Sequence, residues 1–391
     1  MSAHPQTVRR RRLAALAVLA CLAAAVGIAV GAGSRGSDGS TSPVLERGSR
    51  TGLERDGESD ARAPRLPLPR AVGQTLVFAF DGAEAPEYVH RRMRRGEGAG
   101  VILFGANIAD SRQLRRLTRG IQRAARGGAL IATDQEGGEI RNVDFAGPEA
   151  PQSATATVPA AQAAATEAAR ALGGHGININ LAPVVDVQPP SGGGALPGRL
   201  YPGGPEQVAR LAVASVRAHE RAGVGTTVKH YPGLGRATVN TDFGSSVVEA
   251  PRAALEADDL EPYRAVIAAG APIVMSGHAL YPAFDPDRIA SQSRVLMTDV
   301  LRGQLGFEGV AMTDSIEAKA VRDRSDVATA AVRSIAAGND IVLMTGSGSW
   351  NLVYARLLRK ARRDPEFRAR VREAAERVAE LRRRLGLRAA P

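Results

Sequence analysis

The chain is poor in cysteine and in aromatic residues, and both shortages exclude classes of protein. Cys21 is the only cysteine among 391 residues, which allows no disulfide framework and no cysteine-rich metal site. The six histidines show no HExxH or comparable ligand spacing, so we expect neither a metal nor another cofactor. Aromatic side chains make up 4% of the residues and are not interleaved with basic ones, unlike those of a nucleic-acid-binding stripe.

The net positive charge of +11 is confined to the two ends of the chain. Residues 9–12 are four arginines, and residues 351–391 hold 13 Lys and Arg against 5 Asp and Glu. The body, residues 13–350, therefore carries a charge of −1, and we expect no nucleic-acid partner. The C-terminal charges are spaced for an amphipathic helix with an Arg-rich solvated face, whose apolar positions are Val371, Ala375, Val378 and Leu381.

The first 32 residues are typical of a targeting segment. Four arginines precede an uncharged run, residues 13–32, which is just long enough to span a bilayer. We favour an uncleaved signal anchor because the run is long for a signal-peptide core; cleavage after Ala32 and lipidation of Cys21 are the alternatives. Each outcome predicts an extracytoplasmic protein, anchored to the plasma membrane or secreted. Residues 33–70, which are polar and end in a proline-rich stretch, predict a disordered linker, and residues 71–391 predict one domain.

The body alternates short apolar runs with helix-like stretches, which predicts a parallel sheet buried on both faces. The predicted strands are 75–80, 100–104, 129–133, 177–181, 225–228, 272–276, 309–313 and 340–344. Predicted helices include 111–126, 159–172, 205–221, 251–269 and 326–337. Eight units indicate an α/β fold of the closed (β/α)8 type. An open doubly wound sheet is the alternative, but no GxGxxG follows the first strand.

Ionisable residues follow most of these strands, where a (β/α)8 barrel places its catalytic groups. We expect three or four of them to contact a substrate and the others to cap helices or pair with arginines. Lys229 and His230, which follow the run 225–228 and precede a Pro-Gly-Leu-Gly turn, are typical of a buried strand that delivers polar groups to a cleft. The alternative is a strand end with a solvated lysine. The strand-end groups are Asp81, Asp134, Glu136, Asp186, Lys229, His230, His278 and Asp314.

The ordered motifs of residues 71–350 resemble glycoside hydrolase family 3, in its single-domain β-N-acetylglucosaminidase branch. They are VGQ (72–74), VILF (101–104), DQEGG (134–138), NLAPVVD (180–186), KHYPG (229–233), AMTDS (311–315) and AGND (337–340). None is specific alone, but the ordered set is. The resemblance implies a (β/α)8 barrel that cleaves sugars.

The resemblance also implies roles for individual residues. Asp314 falls on the catalytic nucleophile, and its alternative role is a helix N-cap. Asp134 falls on an acceptor of sugar hydroxyls, and its alternative is an N-cap or a loop brace. Lys229 and His230 fall on donors to sugar hydroxyls, and Arg199 falls on another substrate contact. His278 is expected to act as a supporting or core residue.

Two motifs depart from the family pattern. The family branch has a His general acid/base oriented by an Asp in the loop after strand five, whereas this chain has Asp242 and Asn240 there, after Leu234 in the turn. Glu139 also stands where an Arg is common. A carboxyl with a raised pKa can donate a proton in glycosidases, so Asp242 is the candidate acid/base, oriented by the Asn240 amide. The alternative is a solvent-exposed Asp without a role.

These residues predict a retaining exo-glycosidase of the β-N-acetylhexosaminidase type, with Asp314 and Asp242 as catalytic residues. The substrate implied by the resemblance is a GlcNAc-terminated glycan such as a peptidoglycan fragment. We expect a monomer, in contact with the membrane through its N-terminal segment. Two alternatives stay open. One is a non-catalytic glycan-binding or scaffold protein, favoured by the altered loop 234–242. The other is a β-glucosidase of the same family, which usually carries a second domain for which this chain is too short.

Overall fold

The computed structural model describes residues 66–189, 192, 194–346 and 348–391. The predicted targeting segment lies outside these residues, as does most of the predicted linker, and both stay predictions. Within the described part of the chain, no helix is long and apolar enough to cross a membrane. The first described helix, Leu68–Gly73, begins three residues before the predicted domain boundary at residue 71.

Eight parallel strands close into a barrel in the described residues, which confirms the predicted (β/α)8 fold. Each strand pairs with the next along the chain, and the last pairs with the first through Val77 and Leu343. In chain order the strands are β1 (Leu76–Phe78), β2 (Gly100–Ile102), β3 (Leu130–Thr133), β6 (Ile179–Asn180), β7 (Gly225–Tyr231), β8 (Ile273–Ser276), β11 (Val310–Ser315) and β12 (Ile341–Met344). Two small antiparallel pairs lie outside the barrel: β4 (Gln135–Gly137) with β5 (Ile140–Arg141), and β9 (Leu280–Tyr281) with β10 (Asp285–Ile289).

The helices that connect these strands begin where the sequence provides caps. The side chains of Asp110, Thr157, Asp326 and Asp364 each accept a backbone N–H of the following first turn. The α-helices after Leu68–Gly73 are Glu87–Arg95, Ser111–Ala124, Val158–Gly174, Pro205–Arg221, Arg252–Ala254, Glu261–Ala268, Lys319–Arg322, Val327–Ala337, Ser349–Arg363 and Pro365–Arg384. Two π-helical stretches, Leu255–Asp259 and Val295–Gln304, and three 3-10 turns, Gly105–Asn107, Gln152–Ala154 and Ala290–Gln292, complete the set in the described residues.

Most predicted elements differ from the observed ones by a few residues at their ends, and two differences affect the site or its surroundings. Strand β7 continues through Tyr231 instead of ending at residue 228, because Lys229 and Tyr231 still pair with neighbouring segments. Lys229 and His230 are therefore strand residues, and the alternative of a solvated lysine is wrong. The predicted helix 251–269 is divided into three pieces, with the π-helical stretch Leu255–Asp259 in the middle.

The C-terminal helix Pro365–Arg384 packs against the base of the barrel. Its Val378 and Leu381 join the apolar cluster formed by inward residues of the strands, such as Val77 and Met312. The four apolar positions predicted for this helix are all buried. Arg382 is also buried, at 2% exposure, and donates to the carbonyl oxygens of Gly128 and Ala99 at 2.7 and 3.1 Å. The helix thus covers the end of the barrel opposite the strand C-termini.

Candidate active site

Strand β7 places Lys229 in an ionic network at the C-terminal end of the barrel. Lys229 is 2% exposed, and its Nζ lies 2.6 Å from Asp134 Oδ1 and 2.7 Å from Glu136 Oε1. Burial lowers the pKa of Lys229, but the two carboxylates raise it by more. A buried ammonium is stable here because two anions share its charge. Asp134, which lies between β3 and β4, does not cap a helix, and its carboxylate belongs to this network.

Glu136 also binds Arg199, which belongs to the loop that leads into helix Pro205–Arg221. Arg199 donates from Nε to Oε2 at 2.9 Å and from Nη2 to Oε1 at 2.8 Å. Burial raises the pKa of Glu136, but the charges of Lys229 and Arg199 outweigh it and lower the pKa to about 2. The pKa of Arg199 is raised by Glu136 in spite of burial. Glu136 therefore holds both cations of the site in place as a permanently ionised carboxylate.

Asp186 orients His230. The Nδ1 of His230 lies 2.7 Å from Asp186 Oδ2, and Asp186 Oδ1 accepts the backbone N–H groups of His230 and Leu234 at 3.0 and 2.6 Å. Nδ1 therefore carries the proton of this hydrogen bond. The other ring nitrogen, Nε2, lies 3.5 Å from Arg199 Nη2, which is too long for a strong hydrogen bond. The contacts of Asp186 also fix the start of the turn at Leu234, from which the altered loop departs.

Asp314 lies in β11, and the helix after it begins only at Lys319 with Ala318 as its N-cap. The alternative of Asp314 as an N-cap is therefore wrong. Its Oδ1 accepts the backbone N–H of Ser315 at 2.7 Å. Burial raises the pKa of Asp314, but the charges of His230, His278 and Lys229 and the Ser315 hydrogen bond lower it by more. Asp314 is ionised at neutral pH.

His278 supports the backbone beside Asp314. It is fully buried, with Nδ1 2.8 Å from Ser291 Oγ and Nε2 2.9 Å from the carbonyl oxygen of Ser315. Burial lowers the pKa of His278, and the nearby Asp314 opposes this shift. The contact with Ser315 agrees with the supporting role expected for His278.

The loop after β7 brings Asp242 into the electrostatic field of Asp314. Although the Asp242 residue is exposed, desolvation by the surrounding protein and the charge of Asp314 raise the pKa of its carboxyl to about 6, against the opposing charges of His230 and Arg199. Asn240 does not hold the carboxylate as expected. Its Oδ1 accepts the backbone N–H of Asp242 at 2.9 Å, so it shapes the turn instead.

Hydrogen bonds and ion pairs at both ends anchor this loop. At its start, Arg236 donates from Nε to Asp259 Oδ2 at 2.7 Å and from Nη2 to Asp258 Oδ2 at 2.6 Å. At its tip, the carbonyl oxygens of Thr241 and Asp242 accept backbone N–H groups of Ala320 and Lys319 at 3.1 and 3.2 Å. The loop is therefore part of the folded site rather than a free surface segment.

Sequence reasoning left two supporting residues of this site unnoticed. Asn180 bonds both backbone groups of Gln135, at 3.0 and 3.2 Å, and thereby fixes the chain between Asp134 and Glu136. Its Nδ2 also lies 3.0 Å from His219 Nε2, and the His219 Nδ1 lies 3.0 Å from the Ser215 carbonyl oxygen. An asparagine inside an apolar strand was the available signal.

Of the other strand-end groups, Asp81 is exposed on the surface near Tyr88.

The arrangement combines a carboxyl of lowered pKa, Asp314, and a carboxyl of raised pKa, Asp242, with a polar cluster beside them. The pKa shifts of Asp314 and Asp242 are opposite, which is the condition for a nucleophile and a general acid in one site. The cluster of Asp134, Lys229 and His230 offers both acceptors and donors to a hydroxylated ligand. Among the described residues, no group of His, Cys, Asp and Glu is arranged to hold a metal ion. A (β/α)8 barrel with this site belongs to the class of glycoside hydrolases.

The chain belongs to glycoside hydrolase family 3. Residues 76–381 match the family model described as the glycosyl hydrolase family 3 N terminal domain. An uncharacterized secreted glycosyl hydrolase of Arthroderma benhamiae is 34% identical over 298 residues, which cover 73% of this chain and 84% of the relative. A beta-hexosaminidase of Xanthomonas oryzae pv. oryzae is 34% identical over 279 residues, which cover 69% of this chain and 83% of the relative.

Solved structures of the family share the fold. A β-N-acetylglucosaminidase from Paenibacillus sp. superposes with a TM-score of 0.78 at 30% identity, over 83% of this chain and 64% of that one. This chain therefore spans less than two thirds of the Paenibacillus protein. A β-N-acetylhexosaminidase from Beutenbergia cavernae superposes with a TM-score of 0.72 at 34% identity, over 80% of this chain and 97% of that one. The family resemblance inferred from the motifs is confirmed.

Proposed function

We propose that this chain is a retaining exo-β-N-acetylhexosaminidase that removes terminal β-linked GlcNAc through a covalent glycosyl-enzyme on Asp314. The observation that carries the proposal is the opposite shift of two neighbouring carboxyls: the pKa of Asp314 is lowered, whereas the pKa of Asp242 is raised to about 6, so Asp242 keeps its proton to a higher pH than Asp314 does. The names of the Xanthomonas and Beutenbergia relatives support the choice of sugar.

In the proposed first step, an Asp314 carboxylate oxygen attacks the anomeric carbon while Asp242 gives its proton to the leaving glycosidic oxygen. In the second step, Asp242 takes a proton from water, and that water cleaves the sugar–Asp314 ester. Asp134, Arg199, Lys229 and His230 bind the hydroxyl groups of the terminal sugar in both steps. Lys229 and His230 also keep Asp314 ionised before the attack.

Hydrolysis of an aryl β-GlcNAc by wild type, Asp314→Asn and Asp242→Asn tests the proposal. We expect Asp314→Asn to lose essentially all turnover. We expect Asp242→Asn to keep hydrolysis of activated aryl glycosides better than hydrolysis of alkyl glycosides, because only alkyl leaving groups need the acid. Asp287→Asn, at an exposed position of β10, is the matched control. Equal rates for wild type and Asp314→Asn would remove Asp314 from the mechanism.

The natural substrate is proposed to be a GlcNAc-terminated glycan, such as a peptidoglycan fragment, met outside the plasma membrane. The secreted relative from Arthroderma and the predicted targeting segment support this location. Comparing aryl β-GlcNAc, β-GalNAc and β-glucoside separates the proposal from a β-glucosidase. Saturable binding of GlcNAc oligosaccharides, without hydrolysis of these oligosaccharides or of the three aryl glycosides, would instead support a glycan-binding protein.

A further inference from the structure

Phe243, which follows Asp242 directly, is an exposed aromatic residue beside the site. It exposes 71% of its surface, the largest value among the exposed large apolar residues of the described chain. Val239 and Val247, in the same loop, are 40% and 43% exposed. A Cβ placed on Gly244 would lie 3.0 Å from Val239 Cγ1, so Val239 packs beside the backbone that follows Phe243. We call Val239, Phe243 and Val247 the loop patch.

The backbone of the loop patch is fixed beside Phe243. The N–H of Phe243 donates to the Asn240 carbonyl oxygen at 2.9 Å, and Thr241 is 1% exposed. The Asp242 carbonyl oxygen accepts from Lys319, as described above. The exposure of Phe243 therefore belongs to a structured turn. Leaving an aromatic side chain in water has a cost that burial against a ligand would recover.

We propose that Phe243 is the platform for the first sugar ring of the leaving group, a binding subsite that rests on the proposed function. Asp242 must lie within hydrogen-bond reach of the glycosidic oxygen when it acts as the acid. Phe243 is the next residue, with its Cα about 3.8 Å from that of Asp242, so the proposal places the ring bonded to that oxygen against the Phe243 side chain. A pyranose presents C–H groups on its faces, which suit an apolar aromatic surface.

The chemistry of the two halves of the cleft fits two different sugar rings. The inner half, with Asp134, Arg199 and Lys229, is charged and binds hydroxyls from the edge of the terminal ring. The outer half, formed by the exposed apolar side chains of the loop patch, would meet the face of the next ring. Phe243 would therefore select oligosaccharides over glycosides with a small aglycone, without contacting the reacting atoms.

A matched pair of substrates measures this subsite. N,N′-diacetylchitobiose and methyl β-N-acetylglucosaminide both have alkyl alcohol leaving groups that need acid assistance, but only the first has a ring outside the cleaved bond. We expect Phe243→Ala to lower the ratio of their kcat/KM values about tenfold, Phe243→Tyr to preserve it, and Leu352→Ala, an exposed control at 62%, to leave both substrates unchanged. A ratio that stays within about twofold of wild type overturns the proposal.

Fluorescence gives a test that does not depend on turnover. Trp350 is the only tryptophan of the chain and is 9% exposed, so Phe243→Trp adds a reporter at the loop patch. In an Asp314→Asn background, we expect its emission to shift to shorter wavelength with the disaccharide but not with free GlcNAc. A shift with phospholipid vesicles alone, or equal shifts with both sugars, overturns the proposal. If wild type hydrolyses neither substrate, the proposed function fails while this measurement still decides the subsite.

Discussion

The backbone N–H of Lys319 donates to the carbonyl oxygen of Asp242 at 3.2 Å, which joins the loop of the proposed acid to the segment that follows the proposed nucleophile. Lys319 is the first residue of its helix, a position that tolerates proline because the N–H has no partner within the helix. Ala318 before it is extended, with φ −53° and ψ 142°, as a residue before proline should be.

Lys319→Pro should therefore remove this one hydrogen bond without breaking the helix. We expect hydrolysis of methyl β-N-acetylglucosaminide to fall several-fold, because the loop that carries Asp242 is held by one hydrogen bond fewer, while the free energy of unfolding changes by about 1 kcal/mol. Lys319→Ala is the control, since it removes only the exposed ion pair with Asp323 and keeps the N–H. If both variants lose activity equally, the hydrogen bond does not position the acid.

The pH dependence of kcat/KM should follow Asp242 on its alkaline side. Asp242 must be protonated to act as the acid, so the rate should decline as the pH rises through about 6. On the acid side, Asp314 must be ionised, and its lowered pKa places that decline below the usual range of an aspartate. Rates on an alkyl glycoside measured from pH 3 to 9 check both limbs. In Asp242→Asn, the limb near pH 6 should disappear; a limb that stays belongs to another group.

Glu136→Gln should weaken both folding and substrate binding, because it removes the anion that Lys229 and Arg199 share. Breaking a buried ion pair costs about 3–5 kcal/mol. The folded-state pKa of about 2 lies below the ordinary 4.5, so this stabilisation is present above pH 4.5 and is lost as the pH falls towards 2. Urea unfolding at pH 3 and pH 7 measures the free energy of unfolding, and the difference between wild type and variant should be larger at pH 7. Glu139→Gln, on the exposed turn after β4, is the control.

His219 should make folding more sensitive to acid. Burial lowers the pKa of His219 to about 4 from an ordinary 6.5, although the Ser215 carbonyl opposes the shift. As the pH falls, the unfolded chain binds a proton at His219 before the folded chain does. The contribution of His219 to the free energy of unfolding is therefore complete above pH 6.5 and is lost as the pH falls to about 4. The difference in unfolding free energy between wild type and His219→Gln should therefore shrink between pH 7 and pH 4. A constant difference across that range would contradict the neutral, buried imidazole.

Arg382→Ala should destabilise the fold although Arg382 lies at the end of the barrel opposite the proposed active site. The guanidinium is buried and donates to two backbone carbonyl oxygens, which the variant leaves without these donors. The loss of hydrogen bonds from a charged group and the loss of packing predict that the free energy of unfolding decreases by about 2–4 kcal/mol. Thermal unfolding measures it, with Arg383→Ala at the exposed neighbouring position as the control. Unchanged stability in both variants would show that the barrel base closes without Arg382.

The sequence predicted the barrel because hydrophobic runs and helix stops are local signals. Helix Pro205–Arg221 has the predicted bounds, and the predicted helix 326–337 begins one residue later, at Val327, with Asp326 as its N-cap. The end of β7 was missed because a charged Lys229 normally ends a buried strand. Only the tertiary arrangement shows that Asp134 and Glu136 neutralise it.

The site was predicted as a list of residues but not as a network. Motif order indicated Asp314, Asp134, Lys229 and His230, and the sequence alone showed the departure from the family pattern at position 242. Ionic partners that are far apart in the chain, such as Arg199 and Glu136, leave no local pattern. The turn that Asn240 makes depends on which of its atoms meets the backbone, and residue identity alone does not decide that.

The contacts of Arg382 have a consequence for synthesis on the ribosome. Its acceptors, on Gly128 and Ala99, precede it by 254 and 283 residues. Strands β2 and β3 therefore emerge long before the side chain that completes their ends, and the nascent barrel stays open at its base during that interval. A chain released from the ribosome before the C-terminal helix is synthesised would expose the N-terminal ends of its barrel strands. Such a chain would be a substrate for chaperones and proteases rather than an enzyme.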